Sequence, residues 1–287
     1  MGVMQDTGFD LPQGRVAALR NGGSGPRVLA LHGWLDNAAS FVPMAPYLRD
    51  LDLVALDLPG HGHSAHVPAG AEYGFPGALA TVLDVADALG WESFALLGHS
   101  MGAGIASLLA AACPARVERL LAIEMLGALA EEPARTARRM REAVAAQRAG
   151  VGKRLRVFPD VDTAVRARLH AGRVPGSGLD ETLLRLLVER GLQPVAGGWA
   201  WRSDPRLLLP TFARLTTAQV DDVLAAVECP TLAVFADPAQ PYLPDAERRR
   251  RVALLPQGRM LLLPGGHHLH MQQPAAVAAA VVDFLRG

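Results

Sequence analysis

What this sequence has little of narrows its class before any motif is considered. Cationic and acidic side chains number 28 each, so no excess of either sign marks the chain for nucleic acid, an anionic membrane or a highly charged substrate. Any ligand is expected to be neutral or weakly charged. Lysine is almost missing: Lys153 is the only one, and with the many arginines and alanines this reads as genomic base bias, not as a binding device. The two cysteines, Cys113 and Cys229, are too few for a disulfide framework and lack metal-ligand spacing, so both read as small buried residues. No apolar run reaches the length of a membrane span, and the first fourteen residues hold no basic start followed by an apolar stretch. The expectation is a soluble cytoplasmic protein, monomer or homodimer, with no nucleic-acid or membrane partner. Neither an internal repeat nor a low-complexity linker divides it.

What is present is enough apolar material, 50% over 287 residues, to bury the core of one α/β domain with room for an insertion. Short apolar runs at Arg27–Leu31, Leu51–Leu58, Phe94–Leu97 and Val117–Ile123 read as central strands. Between them Ser40–Leu48, Gly77–Leu89 and Ser100–Ala112 carry apolar residues at helical spacing, the alternation that builds a mainly parallel sheet with helices on both faces. After Leu126 the character changes. Glu131–Ala149 is rich in Ala, Arg and Glu, and the pattern stays helical to about Leu215, which predicts a helical cap over 127–215 between core segments 1–126 and 216–287. Strands resume at Pro230–Ala236 and Arg259–Leu263, and Pro274–Arg286 closes the chain as a helix with proline in its first turn.

Gly98-His99-Ser100-Met101-Gly102 matches G-x-S-x-G and falls directly between a strand and a helix. The glycines have a physical reason there, because side chains two positions either side of a strained turn collide with neighbouring backbone. Such a turn lifts the Ser100 hydroxyl above the sheet edge and sets the Met101 N–H at a helix N-terminus, where it can stabilise an oxyanion. With this motif the chain resembles the α/β-hydrolase family over nearly its whole length. Leu31-His32-Gly33-Trp34 looks like the family's H-G-x turn, and Asp57-Leu58-Pro59-Gly60-His61-Gly62-His63-Ser64 looks like its D-x-x-G-x-G-x-S loop. The segment 32–41 (HGWLDNAASF) and Trp201–Leu207 (WRSDPRL) are similar to the serine hydrolase-like proteins related to the fly protein kraken. The resemblance implies a second oxyanion N–H at Trp34, with its indole, His99 and Trp201 lining a substrate pocket. His32, His61 and His63 are expected to hold loops together.

A serine hydroxyl needs a base. Pro264-Gly265-Gly266-His267-His268-Leu269-His270 lies between the last strand and the last helix, and the family pattern G-G-H-x-x-H puts the base on His267, with His268 and His270 as competitors. A metal site on these clustered histidines is the alternative; adjacent histidines diverge in most loops and no Cys or carboxylate accompanies them in sequence, so no metal or cofactor is expected. The acid stays open between two residues. Glu124 closes an apolar strand at the carboxyl edge of the sheet, where ligands bind. Asp237, in the loop where most of the family carry an aspartate, comes too early, with Ala239 or Gln240 in the expected place. The resulting expectation is a carboxylesterase-like serine hydrolase acting on a small neutral or apolar acyl substrate. A thioesterase, lactonase or C–C bond hydrolase on the same elbow, and a binding protein without turnover, are the alternatives.

Overall fold

The computed structural model describes residues 4–150, 156–171 and 178–287. Its centre is an eight-stranded sheet of β1 (Gln5–Leu11), β2 (Gly14–Arg20), β3 (Arg27–Leu31), β4 (Asp52–Leu56), β5 (Phe94–His99), β6 (Val117–Ile123), β9 (Thr231–Asp237) and β10 (Gly258–Pro264). The spatial order is β1-β2-β4-β3-β5-β6-β9-β10, with β1, β2 and β4 joined antiparallel and every other neighbour parallel. The strand order reverses about β3, so the carboxyl ends of β3, β5, β6 and β9 gather on one edge.

Period-two alternation divides the core in two. Along β3, Leu29 and Leu31 face one side, where they pack with α1 (Phe75–Ala88), α2 (Met101–Ala112) and α6 (Thr217–Ala225). Val28 and Ala30 face the other, against the turns at Ala38–Phe41 and Ala45–Tyr47 and in one cluster with Leu269 of α8 (Leu269–Gln272) and with α9 (Pro274–Arg286). The six strands expected from sequence are present. The expected helix over Ser40–Leu48 is two short 3₁₀ turns instead, the first opened by Asn37 as N-cap to Ala39 N–H and the second carrying Pro46 in its first positions.

Two hairpins went unforeseen. The β1–β2 hairpin covers the sheet edge, and β1 is too polar and too exposed to carry an apolar signal. Between β6 and α6 lie α3 (Thr136–Ala149), α4 (Val161–Ala171) and α5 (Glu181–Gly191), but also β7 (Leu192–Val195) paired with β8 (Gly198–Trp201), so this segment is not wholly helical. It has a small core of its own, in which Phe158, Val165, Leu184, Val188 and Leu192 are buried. Polar bonds tie it down. Arg190 of α5 reaches Asp57, which is fully buried, through Nε at 3.0 and 3.1 Å and Nη2 at 2.9 Å, and reaches Asp6 at 2.7 Å. Asn37 Nδ2 donates to Leu187 O at 2.8 Å, and Arg168 of α4 donates to Leu35 O at 2.9 Å and Asp36 at 2.6 Å.

Candidate active site

Ser100 stands between β5 and α2 with φ 52° and ψ −114°, a left-handed backbone that L-residues avoid. The glycines of the motif make the turn possible by close approach. A Cβ on Gly98 would sit 2.5 Å from Ala103 N, and one on Gly102 would sit 2.0 Å from Leu31 O, so only hydrogen fits at either position. The other two non-glycine residues at positive φ among those described are Leu35 (61°) and Glu124 (58°). Each such residue costs on the order of 1–3 kcal/mol and persists only where its surroundings hold it, and strain of this kind collects at functional sites. Here it follows the H-G turn, falls on the serine, and falls at the end of β6.

Met101 N–H opens α2, ahead of any residue that could accept it within the helix. Trp34 N–H has no partner among the described residues. The Trp34 indole is half exposed, and its Nε1–H donates to Leu207 O at 3.1 Å. His32 holds the two family-like loops together: its Nδ1–H donates to Gly33 O at 2.7 Å, and its Nε2 accepts Leu58 N–H at 3.0 Å. Asp57 accepts from Ala38 N and His63 N at 2.8 Å each, and burial pushes the His61 imidazole down to about 3.

The three histidines after β10 go three ways. His267 Nδ1 lies 2.6 Å from the Tyr242 hydroxyl and 3.6 Å from Glu124 Oε2. His268 Nε2 lies 3.0 Å from Asp36 Oδ2, and His270 Nε2 lies 2.6 Å from Ser40 Oγ. His99 sits beneath them. Its Nε2–H donates to His267 O at 2.8 Å, and its ring lies 4.8, 5.1 and 4.2 Å from those of His267, His268 and His270. Ser100 Oγ and His267 Nε2 make no hydrogen bond among the described residues; the serine and the histidine loop are joined through His99. The His99 side chain is fully buried and supports the histidine loop from within the core. Trp201 packs edge-on to Phe158 at 5.5 Å and beneath the Arg168 guanidinium at 6.0 Å.

The two candidate acids separate cleanly in space. Glu124 is 1% exposed; its Oε1 accepts Ala236 N–H at 2.6 Å and meets Arg248 Nη2 at 3.4 Å, while Oε2 is buried without a hydrogen bond. The nearest ring nitrogen to Oε2 is His267 Nδ1. Asp237 is exposed at the end of β9, and its carboxylate bonds to no other described side chain. Arg248, itself buried, donates to Ala236 O at 2.6 Å and stacks 4.8 Å over Phe235, so the support of Glu124 comes from both β9 and α7 (Asp245–Leu254).

Sequence reasoning missed Asp36, Tyr242 and Arg248. Asp36 supplies the carboxylate partner that the histidine cluster lacks in sequence, and its ligand atoms come within 4.8 Å of those of His99 and His268. A cation there would meet the Arg168 guanidinium already bound to Asp36 at 2.6 Å, so the trio is better satisfied as an ion-paired strut than as a metal centre. No local pattern announces any of the three; only the fold brings Asp36 and Tyr242 to the histidines and Arg248 to Glu124.

Comparison with known proteins agrees with this geometry. Residues 26–274 match the family model described as alpha/beta hydrolase fold. A serine hydrolase-like protein of Dictyostelium discoideum is 32% identical over 277 residues, covering 91% of this chain and 75% of the relative. Among solved structures, the hypothetical protein PA1622 from Pseudomonas aeruginosa PAO1 superposes with a TM-score of 0.89 at 42% identity, over 97% of this chain and 99% of that one. A thioesterase domain from the curacin biosynthetic pathway does so at 0.83 and 27% identity, over 98% and 99%. The chain belongs to the alpha/beta hydrolase fold family.

Proposed function

We propose that this protein is a serine hydrolase that cleaves an ester-type bond of a small neutral or apolar substrate. In this reading Ser100 Oγ attacks the carbonyl carbon while His267 Nε2 takes its proton, and the resulting imidazolium is held through Nδ1 by Glu124. The carbonyl oxygen, now an oxyanion, accepts from Trp34 N–H and Met101 N–H. Collapse returns the proton from Nε2 to the leaving alcohol, and water then repeats the cycle on the acyl-serine. The segment 127–215 acts as the cap that bounds the acyl pocket, and no cofactor takes part in any step.

The observation that carries the reading is the Glu124 carboxylate. One of its oxygens is buried without a hydrogen bond 3.6 Å from His267 Nδ1, just past the end of the strand next to the Ser100 elbow. A buried carboxylate oxygen left unsatisfied costs free energy that an Nδ1–H recovers. A thioester in place of the ester is a second reading, favoured by the likeness to the thioesterase domain.

The test is a panel of p-nitrophenyl esters of graded chain length beside acyl-thioesters read by thiol release, with fluorophosphonate labelling of the same preparation. Labelling and turnover are expected in the native chain and absent in Ser100→Ala. Labelling that survives the substitution would sink the assignment, and the preferred leaving group separates oxygen from sulfur esters.

A further inference from the structure

We infer that Tyr242 is a positioning residue for His267, its phenol oxygen accepting the Nδ1 proton on the side that faces Glu124. The inference deepens the proposed function and rests on it. Two acceptors face one ring nitrogen: the Tyr242 oxygen at 2.6 Å and Glu124 Oε2 at 3.6 Å. The tyrosine thus makes the shorter contact, from the loop after β9.

A phenol can donate or accept, and the surroundings decide which. If Tyr242 donated, Nδ1 would present a lone pair to Glu124 Oε2, which is buried with no other partner. The ring proton would then sit on Nε2, where it blocks uptake of the proton from Ser100. If Nδ1 carries the proton, the phenol oxygen accepts it at 2.6 Å, the buried Oε2 faces an N–H dipole at 3.6 Å in place of a lone pair, and Nε2 is left free as a base. The second arrangement removes a repulsion that the first creates. Although the Tyr242 side chain is 43% exposed, desolvation of its hydroxyl, with the nearby Glu124, pushes it well above the usual phenol range, so the phenol stays neutral.

Tyr242 is also fixed in place. Leu243 is 1% exposed in the main core, and its N–H donates to the carbonyl of buried Gln240 at 3.0 Å. The Tyr242 ring meets the His267 ring edge-on, 5.6 Å between centroids at 90°, which restrains the imidazole about the bond that aims Nε2. His99 Nε2–H on the His267 carbonyl holds the backbone from the opposite side.

Tyr242→Phe removes the oxygen and keeps the ring, so a packing role survives it and a hydrogen-bonding role does not. Expected is a fall in kcat of about tenfold on the best p-nitrophenyl ester, the size of one lost hydrogen bond, with KM changed less than about threefold. In the native chain, ¹⁵N NMR of labelled histidine should find His267 protonated at Nδ1 with a downfield proton, and in Tyr242→Phe that proton should move upfield and exchange faster. Unchanged kcat together with an unmoved Nδ1 signal would overturn the inference, as would a native His267 protonated at Nε2 or a loss confined to KM. If the native chain neither turns over esters nor takes the fluorophosphonate, the hydrolase reading fails, and the NMR comparison still decides the hydrogen bond.

Discussion

Glu124 and Asp237 are chemically similar and environmentally opposite, and that difference predicts their substitution effects. Glu124→Gln keeps the shape but offers His267 Nδ1 an amide, which can hold the wrong tautomer, and a change of this kind lowers kcat by roughly two to four orders of magnitude. Asp237→Asn alters an exposed side chain that bonds to no other described side chain, and kcat should stay within about twofold. Steady-state kinetics of both variants on one ester check this, and a larger loss in Asp237→Asn would move the acid to the loop after β9. The residue scale is also where the sequence was least legible. Ser100 announces itself because the turn demands glycines at fixed offsets, and His267 because a glycine pair frees its loop. Glu124 could be suspected only from an acid ending an apolar strand. Tyr242 and Asp36 carry no such mark, since neither is flanked by a residue type that signals its role and each acts through a partner more than twenty residues distant in the chain.

At the scale of elements, legibility followed burial. The inner strands β3, β4, β5, β6 and β9 are covered on both faces and read as continuous apolar runs. The β1–β2 and β7–β8 hairpins lie at an edge or outside the main sheet, where pairing, not burial, defines the strand. The joint between α5 and the core follows a different rule, that of buried charge. Asp57 is fully buried and Arg190 nearly so, and removing one partner of such a pair leaves the other uncompensated, at a cost of about 3–5 kcal/mol. Arg190→Leu should therefore lower the unfolding free energy by about that amount, the Ala38 and His63 N–H bonds to Asp57 holding it toward the lower end. Arg185 on the same helix pairs with Asp162, Glu181 and Glu189 at the surface, where solvent screens the attraction, and Arg185→Leu should cost little. Urea unfolding of the two variants makes the comparison, and equal losses would show that the Arg190 contact is not the joint described.

Across the whole molecule, acid stability is set first by histidines and only later by carboxylates. His32, His61, His99 and His270 are each held below the ordinary 6.5 of a free imidazole, with burial the largest cause, and His61 is pushed down to about 3. Protonation in place would strand charge: His61 Nε2, His99 Nδ1 and His270 Nδ1 are buried without a hydrogen bond, and His32 Nε2 is already an acceptor for Leu58 N–H. The unfolded chain takes up these protons first, so the stabilisation is fully present above pH 6.5 and is lost as pH falls toward the folded-state values. Each group contributes a slope of up to about 1.4 kcal/mol per pH unit within that window. Asp36 adds a later stage. Burial alone would raise it, but His268 and Arg168 outweigh burial and hold its carboxyl well below the usual range, so its contribution fades only below about pH 4. Glu247, pulled down to about 2 chiefly by Arg250, belongs to the same late stage. Thermal melting between pH 7.5 and 5 should thus show a falling Tm before any carboxylate titrates, and His61→Asn, whose amide can still donate to Pro59 O, should flatten that fall while leaving the late stage in place. A Tm that is level from pH 7.5 to 5, or a His61→Asn slope equal to that of the native chain, would mean that these imidazoles reach solvent and titrate freely in the folded protein.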